Sequence, residues 1–385
     1  MDQLNVVVVG AGMGGLTAAL ALRQAGYTVR VYDRVPRLAA VGAGVSLWSN
    51  GVKVLNRLGL GARIAAAGGR MERMSYRSRD GELLTDFSLG PLVAAVGQCP
   101  YPVARADLQQ LLLDALGPDT VRLGKECIGV EQDAASATAL FADGERARGD
   151  LVVAADGTHS AIREAVLGES WPRRPVGYVN WNGLVAQSTE LGAPGTWVTY
   201  VGEHKRASLM PVGSKRFYFF FDVPLPPGAA PLGEPREELG AHFAGWAAPV
   251  QALIARLDPA RTNRIEITDL DPLPRLVLGR VALLGDAGHT SAPDLGQGGC
   301  QAMEDAWVLA HQLLTTNVGV ADALARYEAA RLPRVADIVE KARKRAGTTH
   351  GADPAETAAW YRELAHEDGA SILGAIARTI AAGPV

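Results

Sequence analysis

Apolar positions in this chain follow two rhythms, one of short unbroken runs and one recurring at three and four residues. The first run, "NVVVVG" (5–10), is apolar on both faces, as a central strand of a parallel sheet requires. It passes through "AGMGG" into a stretch whose Leu16, Ala19, Leu20 and Leu22 recur at helical spacing. Gly26 ends that helix, and "TVRVYD" (28–33) resumes strand. A strand, glycine turn, helix and second strand are therefore predicted over 5–34. "DLVVAADG" (150–157) and "RVALLGDA" (280–287) are apolar strands of the same kind, so the sheet is predicted to be assembled from at least three separated pieces.

The segments 71–89 and 171–270 read differently. Both are rich in aromatic and β-branched residues broken by turn signals, and predict antiparallel strands, among them 177–186, 195–202, 206–212 and 215–225. The short turn "PVGSK" makes the last two a hairpin. Alternation puts Arg206, Ser208 and Met210 on one face, and Tyr218, Phe220 and Asp222 on one face of the partner strand. With Ser208 opposite Tyr218, Arg206 lies diagonally from Tyr218. Beyond residue 320 the pattern is helical over 320–346, with a break expected at Pro333, and again within 354–382. These helices are expected to close over the nucleotide-binding part.

Composition narrows the function classes. Over 385 residues, 48% hydrophobic and 21% charged residues with a net charge of −3 describe an ordinary globular protein. They give no general attraction to nucleic acid or anionic membrane. The basic "KARKR" (341–345) is expected to be a solvated helix face. Cys99, Cys127 and Cys300 are too few and too scattered for a disulfide framework or a zinc site, and no metal is expected. "ILGAIARTIAAG" (372–383) is too short to span a membrane and carries Arg378. The early first strand leaves no room for a secretory signal, so a cytoplasmic location is expected.

The chemistry starts with Gly10, Gly12 and Gly15, which spell GxGxxG between strand and helix. They serve the tight turn, the approach of backbone to a pyrophosphate and close helix packing. The helix N-terminus favours the phosphates. Asp33 ends the second strand where an acid can accept from ribose hydroxyls. These residues point to a dinucleotide and leave NAD and FAD open.

"GAGMGG", "DGTHSAIR" (156–163) and "GDAGHTSAPDLGQGG" (285–299) occur in the order and spacing of three fingerprints, and in them the chain resembles the flavin-dependent aromatic hydroxylases, the para-hydroxybenzoate hydroxylase-like monooxygenases. The resemblance implies FAD, with NADH as a transient co-substrate and O2 as oxidant. It implies an α/β fold: a Rossmann-like FAD-binding domain from 1–70, 100–170 and 271–325, a mixed or antiparallel substrate sheet from 71–99 and 171–270, and a C-terminal helical segment over 326–385. Cofactor contacts are implied for Gly10, Gly12, Gly14, Gly15, Asp33, Arg34, Ser46, Cys127 and Asp156. "RADLQQLLLDAL" (105–116) adds Arg105 and Gln109. Asp286 is expected beside the flavin's sugar chain, and Gly296, Gln297, Gly298, Gly299 and Cys300 under its ring, with a helix N-terminus aimed at the pyrimidine edge. Asp156 and Arg163 read equally well as a structural ion pair, and His289 as a structural hydrogen-bonder.

"GYVNWNGLV", "FYFFFDVPLP", "FAGWAAPVQALI", "TNRIEITD" and "KARKRAGTTHG" resemble, more narrowly, those members that hydroxylate urate. This implies Arg206 and Tyr218 at the substrate, with Asp294 as an acid near both substrate and flavin. A guanidinium beside a phenol suits a flat anion. The implied reaction is hydroxylation of urate at C5 to 5-hydroxyisourate by a flavin C4a hydroperoxide. A phenolic-acid hydroxylase, a carotenoid-type epoxidase and a flavin-binding sensor without turnover remain as alternatives.

Overall fold

The computed structural model describes residues 4–37, 43–315 and 319–385. Asn5–Val9 is the centre of a six-stranded sheet ordered Val277–Leu278, Val281–Leu283, Leu151–Ala154, Asn5–Val9, Thr28–Tyr32 and Val121–Arg122. All neighbours are parallel except the edge pair Val277–Leu278 with Val281–Leu283. Strands from four distant stretches of chain thus share one sheet, as the three apolar runs predict. Val6 to Val9 are at most 2% exposed. Burial of this kind contributes about 1.5–3 kcal/mol per side chain.

Close approach follows from missing side chains. A Cβ on Gly10 would lie 2.1 Å from the Ala155 carbonyl oxygen, and one on Gly15 1.9 Å from that of Gly10. The helix Met13–Gln24 consequently seats against the sheet and against the long helix Gly298–Thr315.

The second large sheet has seven strands, ordered Asn263–Asp269, Arg174–Ala186, Arg216–Pro224, Lys205–Val212, Thr196–Gly202, Arg73–Ser78 and Leu83–Ser88. Only Thr196–Gly202 and Arg73–Ser78 run parallel. Its outer face carries Phe217, Phe219 and Phe221 into a separate core with Phe243, Trp246, Val250 and Leu253. Its inner face therefore keeps Tyr218, Phe220 and Asp222. A small antiparallel sheet of Cys127–Gln132, Ala137–Phe141 and Arg146–Gly149 is new relative to the sequence reading. Its half-exposed strands carry little apolar signal.

Two expectations are corrected here. The helix Val320–His350 runs unbroken through Pro333, because packing of Tyr327, Arg331, Val335 and Ile338 on both sides outweighs the lost backbone hydrogen bond. It also reaches past the parallel sheet to the strand Arg174–Ala186 of the large sheet. The "KARKR" stretch is only partly solvated: Arg343 Nε lies 2.8 Å from Asp269, and the Arg345 guanidinium sits over the Trp360 ring. Arg331 anchors the helix to Asp305 at 2.6 Å and Glu304 at 2.7 Å, all fully buried. No helix among the described residues is long and apolar enough to cross a membrane.

Candidate active site

A cleft runs from the carboxyl ends of the parallel strands to the inner face of the seven-stranded sheet. One end is backbone: Gly12, Gly14, Ser46, Gly285, Asp286, Gly296, Gly298 and Gly299, with Arg105 beside them. The other end carries Asn180, Asn182, Trp197, Arg206, Tyr218, Phe220 and Asp294. A Cβ on Gly12 or Gly298 would meet no protein atom within 4 Å and would project into open cleft. Both glycines therefore keep space free for something that is not protein, and Gly298 opens a helix whose free N–H groups favour negative charge. This cradle fits a dinucleotide.

Several predicted residues act from behind that wall. Asp33 accepts from the Ala11 N–H at 2.6 Å and the Val35 N–H at 2.9 Å, and Gln109 donates to the Ala11 carbonyl at 2.8 Å. Both therefore brace the glycine turn. Arg34 is exposed beyond the second strand. The Cys127 thiol donates to Gly129 O, and burial raises its pKa. Gln297 turns to Asn50, and the Cys300 thiol points to Ser46 O with its pKa pushed up to about 12 by burial. Their side chains do not line the cleft, which leaves their backbone for any cofactor contact.

The ion pair read for Asp156 and Arg163 gives way to separate roles. Asp156 accepts from the N–H groups of Ala161 and Ile162, while Arg163 donates to the carbonyls of Thr158 and Ala287. His289 is buried against Asp305 at 2.6 Å, the structural role expected of it.

The hairpin register differs from the expected one by two residues. Arg206 pairs with Asp222, Ser208 with Phe220 and Met210 with Tyr218. Residues 213–215 form the loop, with Ser214 and Lys215 at positive φ. The side of the sheet each residue faces is unchanged, since a two-residue slip preserves parity. The partner changes: Arg206 Nε lies 2.7 Å from Asp222 Oδ2, and its Nη2 lies 3.2 Å from Asp294 Oδ1. Arg206 also lies over the Phe220 ring, 5.1 Å from its centroid. Tyr218 stands farther along the same wall, its ring against Gly44, where a Cβ would lie 2.3 Å from the ring.

The acids are held from behind. Asp222 is fully buried and accepts from Asn180 Nδ2 at 2.6 Å, and Asn180 Oδ1 in turn accepts from Asn182. Asp294 accepts from the Tyr178 hydroxyl at 2.6 Å and meets His350 Nε2 at 3.2 Å. Burial alone would raise Asp294, but Arg206, His350 and Tyr178 outweigh it and hold the carboxyl well below the usual range. Burial likewise opposes charge on Arg206, and Asp222 with Asp294 outweigh it, so the guanidinium holds its proton more tightly. Burial and the Asp222 carboxylate push the Tyr218 phenol up. The site thus presents an ionised acid, a fixed cation and a neutral phenol.

Tyr178, Asn180 and His350 were missed in the sequence. Tyr178 and Asn180 alternate in a strand that otherwise reads as core, and His350 ends a helix 56 residues from Asp294.

A family model described as an FAD binding domain matches residues 3–342. The chain is 53% identical over 384 residues to the FAD-dependent urate hydroxylase of Klebsiella pneumoniae, covering 99% of this chain and 100% of that protein. It is 51% identical over 386 residues to the enzyme of the same name from Mycolicibacterium vanbaalenii, covering 99% of this chain and 98% of the relative. Among solved structures, it resembles that of Klebsiella pneumoniae HpxO complexed with FAD and uric acid, at 52% identity and a TM-score of 0.96 over 99% of this chain and 97% of the other.

Proposed function

The chain belongs to the FAD binding domain family and is an FAD-dependent monooxygenase, and from that premise we propose that it hydroxylates urate at C5, giving 5-hydroxyisourate at the expense of NADH and O2. The observation that carries this reading is that Arg206, Tyr218 and Asp294 line the same cleft as the glycine cradle. Relatives of more than half identity named for urate support it.

In this reading the cradle of Gly10, Gly12, Gly14 and Gly15, with Ser46, Arg105, Asp286 and residues 296–300, holds FAD. Asp33, Arg34, Gln109, Cys127 and Asp156 support the same cofactor from farther out. Bound FAD supplies the redox chemistry that activates O2. The protein supplies position, charge and dryness.

Urate is a flat anion at neutral pH and is electron-rich, so it needs orienting more than deprotonating. Arg206 Nη1, which neither Asp222 nor Asp294 engages, receives a urate oxygen or ring nitrogen. The Tyr218 hydroxyl fixes the plane of the ring. Asp294, held ionised, accepts a ring N–H. Trp197, Phe220, Ile265 and Ile267 complete an apolar surround that limits water and with it the wasteful release of peroxide.

The test follows NADH loss, urate loss and peroxide in FAD-loaded protein under air, with and without urate. Urate-stimulated NADH oxidation with matching urate loss and little peroxide is expected. Stimulation that yields only peroxide would make urate a non-substrate effector, and no response to urate would discard the substrate assignment.

A further inference from the structure

Resting on the urate reading, we propose that Asn182 is a further substrate-binding residue that determines specificity, its free amide N–H donating to one of the oxygens of urate.

The register sets Asn182 among the residues already assigned to the substrate. On the inner face of the seven-stranded sheet three cross-strand rows run side by side: Asn180, Asp222 and Arg206; then Asn182, Phe220 and Ser208; then Leu184, Tyr218 and Met210. The rows of Arg206 and Tyr218 thus flank the row of Asn182. A flat ligand that reaches both side chains passes over the middle row.

An asparagine side chain has a donor end and an acceptor end, and at Asn182 the choice between them is made by its neighbours. Asp222, in contact with the Arg206 guanidinium, offers only oxygens, so Asn180 turns its nitrogen to it at 2.6 Å. Asn180 Oδ1 then accepts from Asn182 Nδ2 at 2.6 Å, and Asn182 Oδ1 accepts from Asn263 Nδ2 at 3.1 Å. Reversing Asn182 would set oxygen against oxygen at one end and nitrogen against nitrogen at the other. Its sense is therefore locked.

This chain leaves a donor over. The Asn182 nitrogen carries two hydrogens, of which Asn180 takes one, and the other has no acceptor among the described residues. Asn182 is only 4% exposed, yet it lines the cleft. Phe220 across the strand pair and Ile265 on its diagonal have no side-chain acceptor to offer. Support for Asp222 needs a single N–H from Asn182, and a second one buried without a partner is costly. In an open cleft solvent serves that N–H, and a ligand that displaces the solvent must replace the bond. Urate carries an oxygen on C2, C6 and C8. A carbonyl oxygen at this place restores the bond, whereas a ring C–H leaves the N–H unpaired, and a site built in this way rejects the analogue that lacks the oxygen.

The experiment compares four ligands on oxidised, FAD-loaded protein: urate, xanthine, which lacks the oxygen on C8, and the two dioxopurines that lack it on C2 or on C6. Affinities are read from the change in flavin absorbance, or from displacement of urate where that change is small. In Asn182→Ala, urate and two of the three analogues are expected to bind about tenfold more weakly than to the parent. The third analogue, which lacks the oxygen that Asn182 reads, binds both proteins alike. A purely structural role would not give this non-additivity. Should Asn182→Ala fold poorly or lose FAD, Asn182→Ser serves the same comparison, since its hydroxyl supplies a single donor. Equal weakening of all four ligands would make Asn182 a support for Asp222 alone and overturn the proposal, as would no weakening of any. No binding of urate to the parent would remove the urate reading itself, and this proposal with it.

Discussion

Arg206 and Asp222 face each other directly across the hairpin, Nε to Oδ2 at 2.7 Å, in a pair whose carboxylate has no exposed surface. The pair fixes the guanidinium plane before any substrate arrives. Arg206→Ala strands two buried carboxylates and is expected to lower stability by about 3–5 kcal/mol. FAD is expected to remain bound, since Arg206 belongs to the seven-stranded sheet and not to the glycine cradle, while NADH oxidation shifts from urate hydroxylation to peroxide. Denaturation curves and the ratio of urate consumed to NADH consumed check this. Unchanged coupling would remove Arg206 from the substrate site.

Two pairs of glycines separate cofactor space from packing. Gly298→Ala and Gly12→Ala place a methyl group into open cleft, so the apoprotein is expected to fold while FAD affinity falls by an order of magnitude or more. Gly10→Ala and Gly15→Ala drive a methyl group into a backbone oxygen, and folding itself is expected to fail. Flavin absorbance and circular dichroism together distinguish the two. Full flavin loading in Gly298→Ala would refute the cradle.

Gly44 packs on the Tyr218 ring so closely that a Cβ would overlap it. Gly44→Ala is expected to move the phenol, raising KM for urate several-fold and loosening coupling, with FAD still bound. Tyr218→Phe keeps the ring and loses only the hydroxyl, so agreement between the two variants would assign the effect to the hydroxyl's position. An unaltered KM in both would exclude Tyr218 from binding.

Burial pushes the Cys300 thiol from about 9 to about 12. The folded state therefore holds a proton that the unfolded state releases between those values, and stability falls with rising pH across that window. Cys300→Ala removes this contribution, so its stability is expected to decline less steeply than the parent's above pH of about 9. Parallel slopes would mean the thiol ionises as readily folded as unfolded. In thiol titration of the native protein, exposed Cys99 reacts first and Cys300 stays silent.

Much of the frame was legible because it rests on local patterns. "VVVVGAGMGG" dictates a buried strand and a turn without Cβ atoms, and both form, with Val6 to Val9 buried and the helix Met13–Gln24 following. Alternation put Arg206 with Ser208 and Met210, and Tyr218 with Phe220 and Asp222, each on one side of its strand, because side-chain direction in a strand has a period of two. Only the resemblance put Arg206 and Tyr218 at the substrate. The same periodicity is blind to a slip of two residues. Loop 213–215 and the packing of Phe217, Phe219 and Phe221 against Phe243 and Trp246 made that choice.

What the sequence determined by itself was the glycine turn, the sheet assembled from distant pieces and the side of its strand that each residue of the hairpin takes, since each follows from the chemistry of neighbours along the chain. What only the tertiary structure decided was which charges meet: Asp222 and Asp294 on Arg206, Tyr178 and His350 on Asp294, and a helix carried straight through Pro333 to bring His350 there. Charges interact through space at a few ångströms, and these partners lie 16 to 116 positions apart in the chain, so no local pattern records their pairing.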